Sequence, residues 1–370
     1  MTLAPAEKLY AGGNRAVALR ILGEYGYETV CFQSLQRGMK LWFSKRHAAM
    51  VGYVTSGRHW ITVGGPIGGR DHLAEIAGEF ECAARQSQRQ ICYICAEQHT
   101  ADPLTEAGRG KLLIGAIPIW NPQNWSDMVA HNSPLRYQIA RARRRCTDVI
   151  EIDPLQAARS TDIQNLVGQW LCRRRLMPMR FLADPFILSD AARHRRIFTL
   201  ADRNGQLAAV LVASPVPARN GMFIEQIIRA PHAPNGSVEL IISRAMAEFS
   251  QTYRHVTLGL VAGSQFAADD ENPRWAKIAR YSARRWGGWL YRFRSLERFR
   301  ASLQPETWEP VYAISDRSRV GMGDVLSACR AMFRFPFFNF RSLAAITRPR
   351  RPERPADSEA KWTSAFFHND

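Results

Sequence analysis

The stretch IEQIIRAPHAPNGSVELIISRAMAEF, residues 224–249, predicts a strand, a tight turn and a helix in direct succession. Its first residues are mostly apolar and β-branched, as in a buried strand, and a Pro-Asn-Gly turn then interrupts the run. From Val238 onward the apolar residues recur at helical spacing. A unit of this kind aims unpaired backbone N–H groups at the crevice beside its turn, which suits a phosphate or a developing oxyanion.

Charged residues inside the strand make this turn a candidate site. Glu225 and Arg229 are four positions apart, so extended geometry places both on one face. Two charges on an inner strand must pair with each other or bind a ligand, because unpaired burial is costly. A salt bridge between them therefore competes with a ligand site. In the turn, we expect Asn235 to cap the helix and Gly236 to let a ligand or another backbone come close.

The same order of elements occurs earlier in the chain. Residues 28–63 predict four strands, a Gly-rich turn follows, and residues 72–86 carry an apolar stripe at helical spacing. Aligning Pro66 with Pro231 superposes the two sets at an offset of 165 residues, which indicates two copies of one unit. We predict an α+β fold in which each copy is a mixed central sheet flanked by helices.

Domain boundaries follow from this repeat. The polar stretch NPQNWSDMVAHNSP separates the copies. We expect a first domain at 1–125, a linker and basic helix at 126–149, a second domain with the candidate site at 150–313, and a basic-aromatic, partly disordered tail at 314–370.

Composition narrows the partners and the compartment. The 370 residues carry a formal net charge of +17, which favours RNA or an anionic membrane face, although a basic chain can also simply be soluble. Seven scattered cysteines do not form a disulfide framework and indicate the reducing cytosol, and the pair Cys92 and Cys95 is best interpreted as core. No signal peptide, membrane span or metal-ligand set is predicted.

Basic residues cluster at several places. Residues 136–146, 172–175 and 193–196 are rich in Arg, and residues 274–294 mix Arg with Trp and Tyr, a composition that holds phosphates and stacks on bases. A solvated helix face is the alternative for each cluster. The stretch 328–346 interleaves aromatics with Arg and predicts either a segment on an anionic bilayer or a terminal element docked on the core.

Several separated motifs are similar to the C-terminal catalytic domain of the phosphatidylglycerol lysyltransferases, the multiple peptide resistance factor family. The resemblance covers about residues 28 to 313, and its motifs occur in the family's order: HAAMVGYVTSGRHWITVGGPIG (47–68), PVPARNGMFIEQIIRAPHAPNGSVELII (215–242), VTLGLVAG (256–263) and YRFRSLERFRASLQPETWEPVY (291–312).

This resemblance implies a tandem pair of acetyltransferase-like (GNAT) folds, in agreement with the repeat. It also implies transfer of an amino acid from aminoacyl-tRNA to the glycerol hydroxyl of phosphatidylglycerol at the cytoplasmic face of the membrane. Aminoacyl-tRNA is then a co-substrate, no cofactor is needed, and the partners are aminoacyl-tRNA, an anionic phospholipid and the membrane surface. Because the family's flippase portion is absent from this sequence, we expect a protein that lies peripherally at the inner membrane face.

Residue roles follow from the resemblance and from the chemistry of ester transfer. Glu225 or Glu239 is the candidate base or its positioner, and Arg229 is expected to hold the lipid phosphate or the tRNA end. The remaining predicted substrate-binding residues are Gln226, His232, Asn235, Gly236, Tyr291 and Arg300, and the predicted phosphate contacts are Arg136, Arg143, Arg173 and Arg284.

Three positions depart from the family pattern. Gln226 stands where the family usually has Asp, Gly65 replaces the Asp of a Gly-Asp-Pro motif, and Arg300 replaces a Lys. The donated amino acid therefore stays open. Two other functions also stay open: an N-acyltransferase that uses acyl-CoA or an acyl carrier, and a polyanion-binding module without turnover. The loop APHAPNGS holds a single Gly and does not match the usual pyrophosphate-binding turn, which disfavours CoA.

Overall fold

The computed structural model describes residues 13–36, 38–173, 193–267, 272–286 and 293–332. The described strands are β1 (Lys40–Phe43), β2 (Met50–Ser56), β3 (His59–Val63), β4 (Gln90–Glu97), β5 (Gly110–Trp120), β6 (Ile150–Ile152), β7 (Arg196–Ala201), β8 (Leu207–Val216), β9 (Gly221–Arg229), β10 (His255–Thr257), β11 (Val261–Ala262) and β12 (Thr307–Ser315). The described helices are α1 (Gly13–Tyr25), α2 (Leu73–Gln86), α3 (Gln98–Glu106), α4 (Trp125–His131), α5 (Ser133–Arg143), α6 (Pro154–Arg159), α7 (Thr161–Cys172), α8 (Ser237–Phe249), α9 (Arg274–Trp286), α10 (Phe293–Ser302) and α11 (Met322–Met332).

The first half of the chain forms a meander followed by a crossover. Strands β1, β2 and β3 pair antiparallel, and α2 then returns the chain so that β4 runs parallel to β3. The crossover helix packs on the sheet because its stripe is apolar: Leu73, Ile76, Phe80 and Ala84 are all buried. Phe80 lies 5.4 Å from the ring centroid of Trp60 on the adjacent strand. The predicted helix at 72–86 is confirmed.

The second half repeats this arrangement. Strands β7, β8 and β9 pair antiparallel, α8 follows, and β10 runs parallel to β9. The predicted Asn204-Gly205 turn joins β7 to β8, where Gly205 has φ of 79° and Asp202 Oδ1 accepts a bond from the backbone N–H of Asn204. The predicted α+β fold with two acetyltransferase-like halves is confirmed by this repeated topology.

The two halves exchange their last strands within one mixed sheet. The strand order is β1-β2-β3-β4-β12-β5-β10-β9-β8-β7-β6, with β11 paired to β5. Strand β12 belongs to the second half yet lies between β4 and β5, pairing antiparallel with both. Strand β5 belongs to the first half yet pairs with β10. The halves therefore share hydrogen bonds across the middle of the sheet.

One local prediction is wrong. Residues 28–35 are predicted to be a strand, but Cys31–Leu35 form a buried 3-10 helix. The polar stretch 121–134, which we predict to separate the two copies, contains a 3-10 turn and α4, and the Trp125 side chain is buried in the core of the second half. The four domain boundaries themselves stay predictions.

The predictions about the cysteines and about membrane-spanning helices can both be compared with the structure. Cys92 and Cys95 lie in β4, and burial raises the pKa of both thiols, as the core interpretation requires. Within the described chain, every helix falls short of the length and apolar character needed to cross a membrane.

A group of four acidic and basic residues, the central cluster, lies where the exchanged strands meet; Glu28 and Glu97 are buried, and Arg219 and Glu309 are partly buried. Arg219, just after β8, donates to Glu97 at the end of β4 (2.9 Å) and to both carboxylate oxygens of Glu309 on β12 (2.7 and 2.8 Å). The fourth member, Glu28, accepts from the backbone N–H groups of Glu97 (3.0 Å) and Gly65 (2.6 Å). The central cluster thus ties both halves together through hydrogen-bonded charges.

We predict that Arg219→Met lowers the free energy of unfolding by about 3–5 kcal/mol, because it leaves the buried Glu97 carboxylate without its cation. Urea unfolding monitored by circular dichroism measures this change. Arg58→Met, at an exposed position in the β2–β3 turn, is the matched control. Its free energy of unfolding is expected to lie within about 0.5 kcal/mol of that of the unchanged protein. Equal free energies of unfolding for the two variants would contradict the proposed contribution of the central cluster to stability.

A second prediction concerns pH. Burial, reinforced by the nearby Glu97 carboxylate, raises the pKa of Glu28 from 4.5 to about 7. The folded state therefore holds this proton more tightly than the unfolded state, and the contribution of Glu28 to stability is lost as pH rises from about 4.5 to about 7. Glu28→Gln keeps a neutral side chain, so we expect the variant to gain stability relative to the unchanged protein between pH 5 and pH 8.

The stability of Glu28→Gln must be compared with that of the unchanged protein at the same pH. Burial lowers the pKa of His99 to about 4 and that of His255 to about 3, so both histidines contribute the opposite slope below pH 6.5 in either protein. Chemical denaturation of Glu28→Gln, of the exposed control Glu24→Gln and of the unchanged protein separates these effects. A stability difference for Glu28→Gln that is constant from pH 5 to 8 would refute the assignment.

Candidate active site

The loop between β9 and α8, residues 230–236, forms the centre of the candidate site. It begins with a bond from Ala230 N–H to the Ala208 carbonyl (2.8 Å) and ends at Gly236, whose φ of 91° lies in the left-handed region. Gly236 is the N-cap residue of α8, and no side chain of the described residues caps this helix start. The prediction that Asn235 caps the helix is therefore wrong. The backbone N–H of Ser237, the first residue of α8, donates to the Pro234 carbonyl (3.3 Å).

Arg229 braces this loop. Its Nη2 donates to the Ala233 carbonyl (2.5 Å) and to Asn235 Oδ1 (3.3 Å). The residue is exposed at the end of β9, so the guanidinium keeps donors that a phosphate can reach. The Asn235 side chain is used to hold Arg229 and not to cap the helix.

Glu225 has a different partner from the one expected. It forms a two-pronged ion pair with Arg195 (Nε to Oε1, 2.7 Å; Nη2 to Oε2, 3.1 Å), and both side chains are 1% exposed. The alternative of a salt bridge between Glu225 and Arg229 is thus wrong. A β-bulge explains part of the difference: Val212 pairs with Gln226 and Ala213 with Ile224, which leaves Glu225 as the extra residue.

Helix α5 packs directly against the loop. A Cβ built on Gly236 would meet the Gln138 carbonyl oxygen at 2.1 Å, so only glycine fits between the loop and this helix. Three residues after α5, Cys146 Sγ lies 3.7 Å from Ser237 Oγ at the start of α8. These contacts place the C-terminal end of the basic helix beside the N-terminus of α8. The exposed arginines there are Arg143, Arg144 and Arg145.

A pocket of about 200 Å³ opens beside the loop. Helix α7 supplies one wall, and the end of β9 with the first loop residues supplies the other. Its lining residues are Leu166, Trp170, Arg173, Arg229, Ala230 and Pro231. Two guanidinium groups next to an indole and an aliphatic side chain suit a ligand that joins a phosphate to a flat or apolar group. The structure therefore brings the predicted residues Arg173 and Arg229 to one pocket.

Other predicted residues lie around this centre. His232 is exposed on the loop, Gln226 is buried in β9, and Glu239 is half-buried in the first turn of α8. Arg300 on α10 donates to the carbonyls of Gly259 (2.6 Å) and Leu258, so it holds the chain after β10. Tyr291 and the side chain of Arg284 lie outside the described residues. The catalytic and substrate-binding roles of all these residues stay predictions.

The basic clusters differ in what their arginines contact. Arg136 on α5 is exposed and donates to the Ala130 carbonyl. In the cluster at 193–196, Arg195 is buried with Glu225, and Arg196 forms a bidentate pair with Glu151 (2.7 and 2.5 Å). This cluster is therefore mainly structural, and the expectation of a phosphate-binding patch there is not supported by these contacts. The end of α5 is the more accessible basic surface.

The departure at Gly65 has a steric reason. A Cβ at this position would lie 2.2 Å from Thr100 Cγ2, and the backbone N–H of Gly65 donates to the buried carboxylate of Glu28. A larger residue here would have to displace Thr100. The carboxylate that lies beside the turn after β3 is therefore that of Glu28, which comes from the segment after α1.

The sequence matches the family model for the C-terminal region of phosphatidylglycerol lysyltransferase over residues 19–315. The chain belongs to this family. Membership confirms the resemblance drawn from the motifs and makes the protein an acyltransferase of the lysylphosphatidylglycerol synthetase type. A comparison with curated proteins finds no match.

Several solved structures have the same fold as this chain. The structure of L-PGS from Bacillus licheniformis has a TM-score of 0.71 at 16% identity, covering 86% of this chain and 95% of that one. A C-terminal domain described as belonging to a lysylphosphatidylglycerol synthetase of Agrobacterium fabrum has a TM-score of 0.69 at 18% identity, covering 85% and 95%. FemX matches at 0.52 and 8% identity, covering 82% and 95%. At these identities the likeness shows the fold alone.

The sequence did not indicate several residues that contact the site although they are distant along the chain. Arg195 was counted as one arginine of a basic run, yet it pairs with Glu225 from 30 positions away. Trp170 and Leu166, which line the pocket, belong to a helix that no motif singled out. A signal for the ion pair was present, because a buried Glu inside an apolar strand requires a cation, but nothing in the spacing indicates which one.

We predict that Gly236→Ala disturbs the site while Gly205→Ala does not. Both glycines have positive φ (91° and 79°), but only the Cβ at residue 236 meets a backbone atom, since residue 205 faces open space. Both variants incur the left-handed backbone cost of about 1–2 kcal/mol, and Gly236→Ala carries an additional penalty from displacing α5. Denaturation curves and transferase activity measure the difference. Equal losses in both variants would contradict close packing of the loop on α5.

Proposed function

We propose that this protein transfers an amino acid from aminoacyl-tRNA to the hydroxyl of phosphatidylglycerol or a related anionic lipid. The observation that carries the proposal is the loop of residues 230–236, whose first residues line a pocket with two arginines and whose last residue packs on the basic helix α5. Family membership supports lipid aminoacylation as the general reaction. The tRNA donor and the identity of the lipid belong to the proposal.

The reaction needs positioning more than covalent chemistry, because an aminoacyl ester is already activated. The lipid hydroxyl oxygen attacks the ester carbonyl carbon and loses its proton to a base. The bond to the ribose oxygen then breaks, and that oxygen takes up a proton, so one ester replaces another. The tetrahedral intermediate carries an oxyanion, which backbone N–H groups at the start of α8 can stabilise.

The two candidate acids now have different roles. Both oxygens of Glu225 accept from Arg195, and the pair is closed off from solvent. We therefore assign Glu225 as a positioning residue that fixes Arg195 and the bulge in β9. Glu239, half-buried in the first turn of α8, is the better candidate for the base. Arg173 and Arg229 would hold the phosphate of the lipid or of the tRNA terminus.

A position at the inner face of the membrane follows from the lipid substrate. Helix α9 offers a surface for it, because Ile278 (65% exposed) and Tyr281 (69% exposed) project one turn apart from a helix that also carries Arg274. Apolar side chains flanked by basic ones suit the boundary of an anionic bilayer. Most of the basic-aromatic stretch 328–346 lies outside the described residues, so its membrane role stays a prediction.

The test is lipid analysis with purified protein, one charged tRNA at a time and vesicles that contain labelled phosphatidylglycerol. The expected product is a ninhydrin-positive lipid whose formation stops after RNase treatment. An amide lipid made from acyl thioester would favour the acyl-CoA alternative instead. Tight RNA binding without a new lipid would favour the module without turnover.

We predict that Arg173→Met and Arg229→Met each lower kcat/KM by about 10- to 100-fold, since each loses a charge-assisted phosphate contact of about 1.5–3 kcal/mol. Arg58→Met removes an exposed arginine in the first half and is the matched control. Activity assays at two salt concentrations check the electrostatic origin. Activities of the pocket variants equal to that of the control would exclude this pocket as the substrate site.

A further inference from the structure

Two histidines and a glutamate meet at the start of α2, far along the chain from the candidate active site. His47 Nε2 lies 3.1 Å from Glu75 Oε2, and His72 Nδ1 lies 3.8 Å from the same oxygen. The three ligand atoms all fall within 4.8 Å of one another. No function proposed above uses these residues.

From this geometry we propose that His47, His72 and Glu75 form a binding site for a divalent transition metal of the Zn²⁺ class. Two imidazoles and one carboxylate are a common zinc donor set. Around a tetrahedral ion with bonds of 2.0–2.1 Å, neighbouring ligand atoms are roughly 3.3 Å apart. The observed separations of 3.1 and 3.8 Å lie on either side of that value. Three protein ligands leave a fourth position open for water or an exogenous ligand.

The surrounding structure holds the ligands in place. Ser44 Oγ accepts from the backbone N–H of His47 (3.0 Å) and donates to Glu79 of α2 (2.9 Å), so the β1–β2 loop is fastened to the helix that carries Glu75. The His47 side chain is 18% exposed, and its Nε2 is a buried atom without a hydrogen-bond partner of proper geometry. A nitrogen in that position is satisfied by a metal ion.

Electrostatics and access also fit a cation. Glu75 and Glu79 place two carboxylates on successive turns of α2, and Arg46, which is 80% exposed, has its Nε 3.7 Å from Glu79. The imidazole rings of His47 and His72 stack with their centroids 4.5 Å apart, so the half-exposed His72 ring must turn to aim its Nδ1 at a shared ion. His72 and Glu75 are more than half exposed, so an ion can enter.

The position within the repeat adds to the inference. At the offset of 165 residues, the start of α2 corresponds to the start of α8. The candidate metal ligands of the first copy therefore lie at the place that corresponds to the loop before α8 in the second copy.

The experiment titrates Zn²⁺ into the EDTA-treated full chain by calorimetry, with Co²⁺ absorption as the report on ligand type. We expect one tight site that raises the unfolding midpoint and a Co²⁺ spectrum without thiolate charge transfer. His47→Ala and Glu75→Gln should each weaken Zn²⁺ binding by at least about 100-fold, since even outer-shell changes reach that size. His131→Ala, an exposed histidine on α4, is the matched control and should bind like the unchanged protein.

Two results would overturn the proposal. One is Zn²⁺ affinity in Glu75→Gln and His72→Ala equal to that of the control; both side chains are largely exposed, so these variants are expected to fold. The other is a Co²⁺ spectrum dominated by thiolate ligation, which would assign the metal to the exposed cysteines Cys82 or Cys172. Neither result depends on transferase activity, so the metal site and the proposed function can fail separately.

Discussion

The guanidinium of Arg219 is the contact on which the centre of the fold depends. It lies between Glu97, at the end of the fourth strand of the first half, and Glu309, on the strand that the second half inserts beside it. Removing one member leaves buried charge without compensation, whereas the complete group is satisfied by hydrogen bonds. Because its four members come from four separate segments, the central cluster forms only when β4, β12, the turn after β8 and the segment that carries Glu28 are all in place. The Arg219 side chain also lies over the Tyr27 ring, 5.0 Å from its centroid, which extends the cluster to the segment after α1.

The two halves have used the same topology for different purposes. In the first half the end of the central strand is filled: Gly65 meets Thr100, and Glu28 occupies the nearby polar space. In the second half the corresponding end stays open, with Arg229 folded along the loop and a pocket next to it. The space at the end of β3 is filled and the space at the end of β9 is open, which explains why the candidate active site lies in the second half. The filled copy supplies rigidity at the exchanged strands.

The spacing of apolar residues predicted helices and strands correctly wherever the pattern extended over many residues. The helix at 72–86, the hairpin at Asn204-Gly205 and the unit at 224–249 all have the predicted type. Residues 28–35 failed because a short apolar run fits a buried 3-10 helix as well as a strand. At the site, spacing along β9 indicated that Glu225 required a partner but could not reveal Arg195, since that contact depends on how β7 lies in the folded sheet. Asn235 likewise had a competing partner in Arg229. Local chemistry was therefore predictable, and long-range pairing was not.

The exchanged strands also bear on how the chain matures on the ribosome. Strand β4 is complete once Glu97 has been made, but its neighbour β12 ends only at Ser315. At about 5–20 residues per second, translation of the intervening segment lasts on the order of 10–40 s. Throughout that interval the nascent first half presents an unpaired strand edge lined by apolar side chains, a template for misassembly. The sheet thus depends on β12, a strand made late, to cover the edge of β4, a strand made early, and premature release of the nascent chain leaves that edge open.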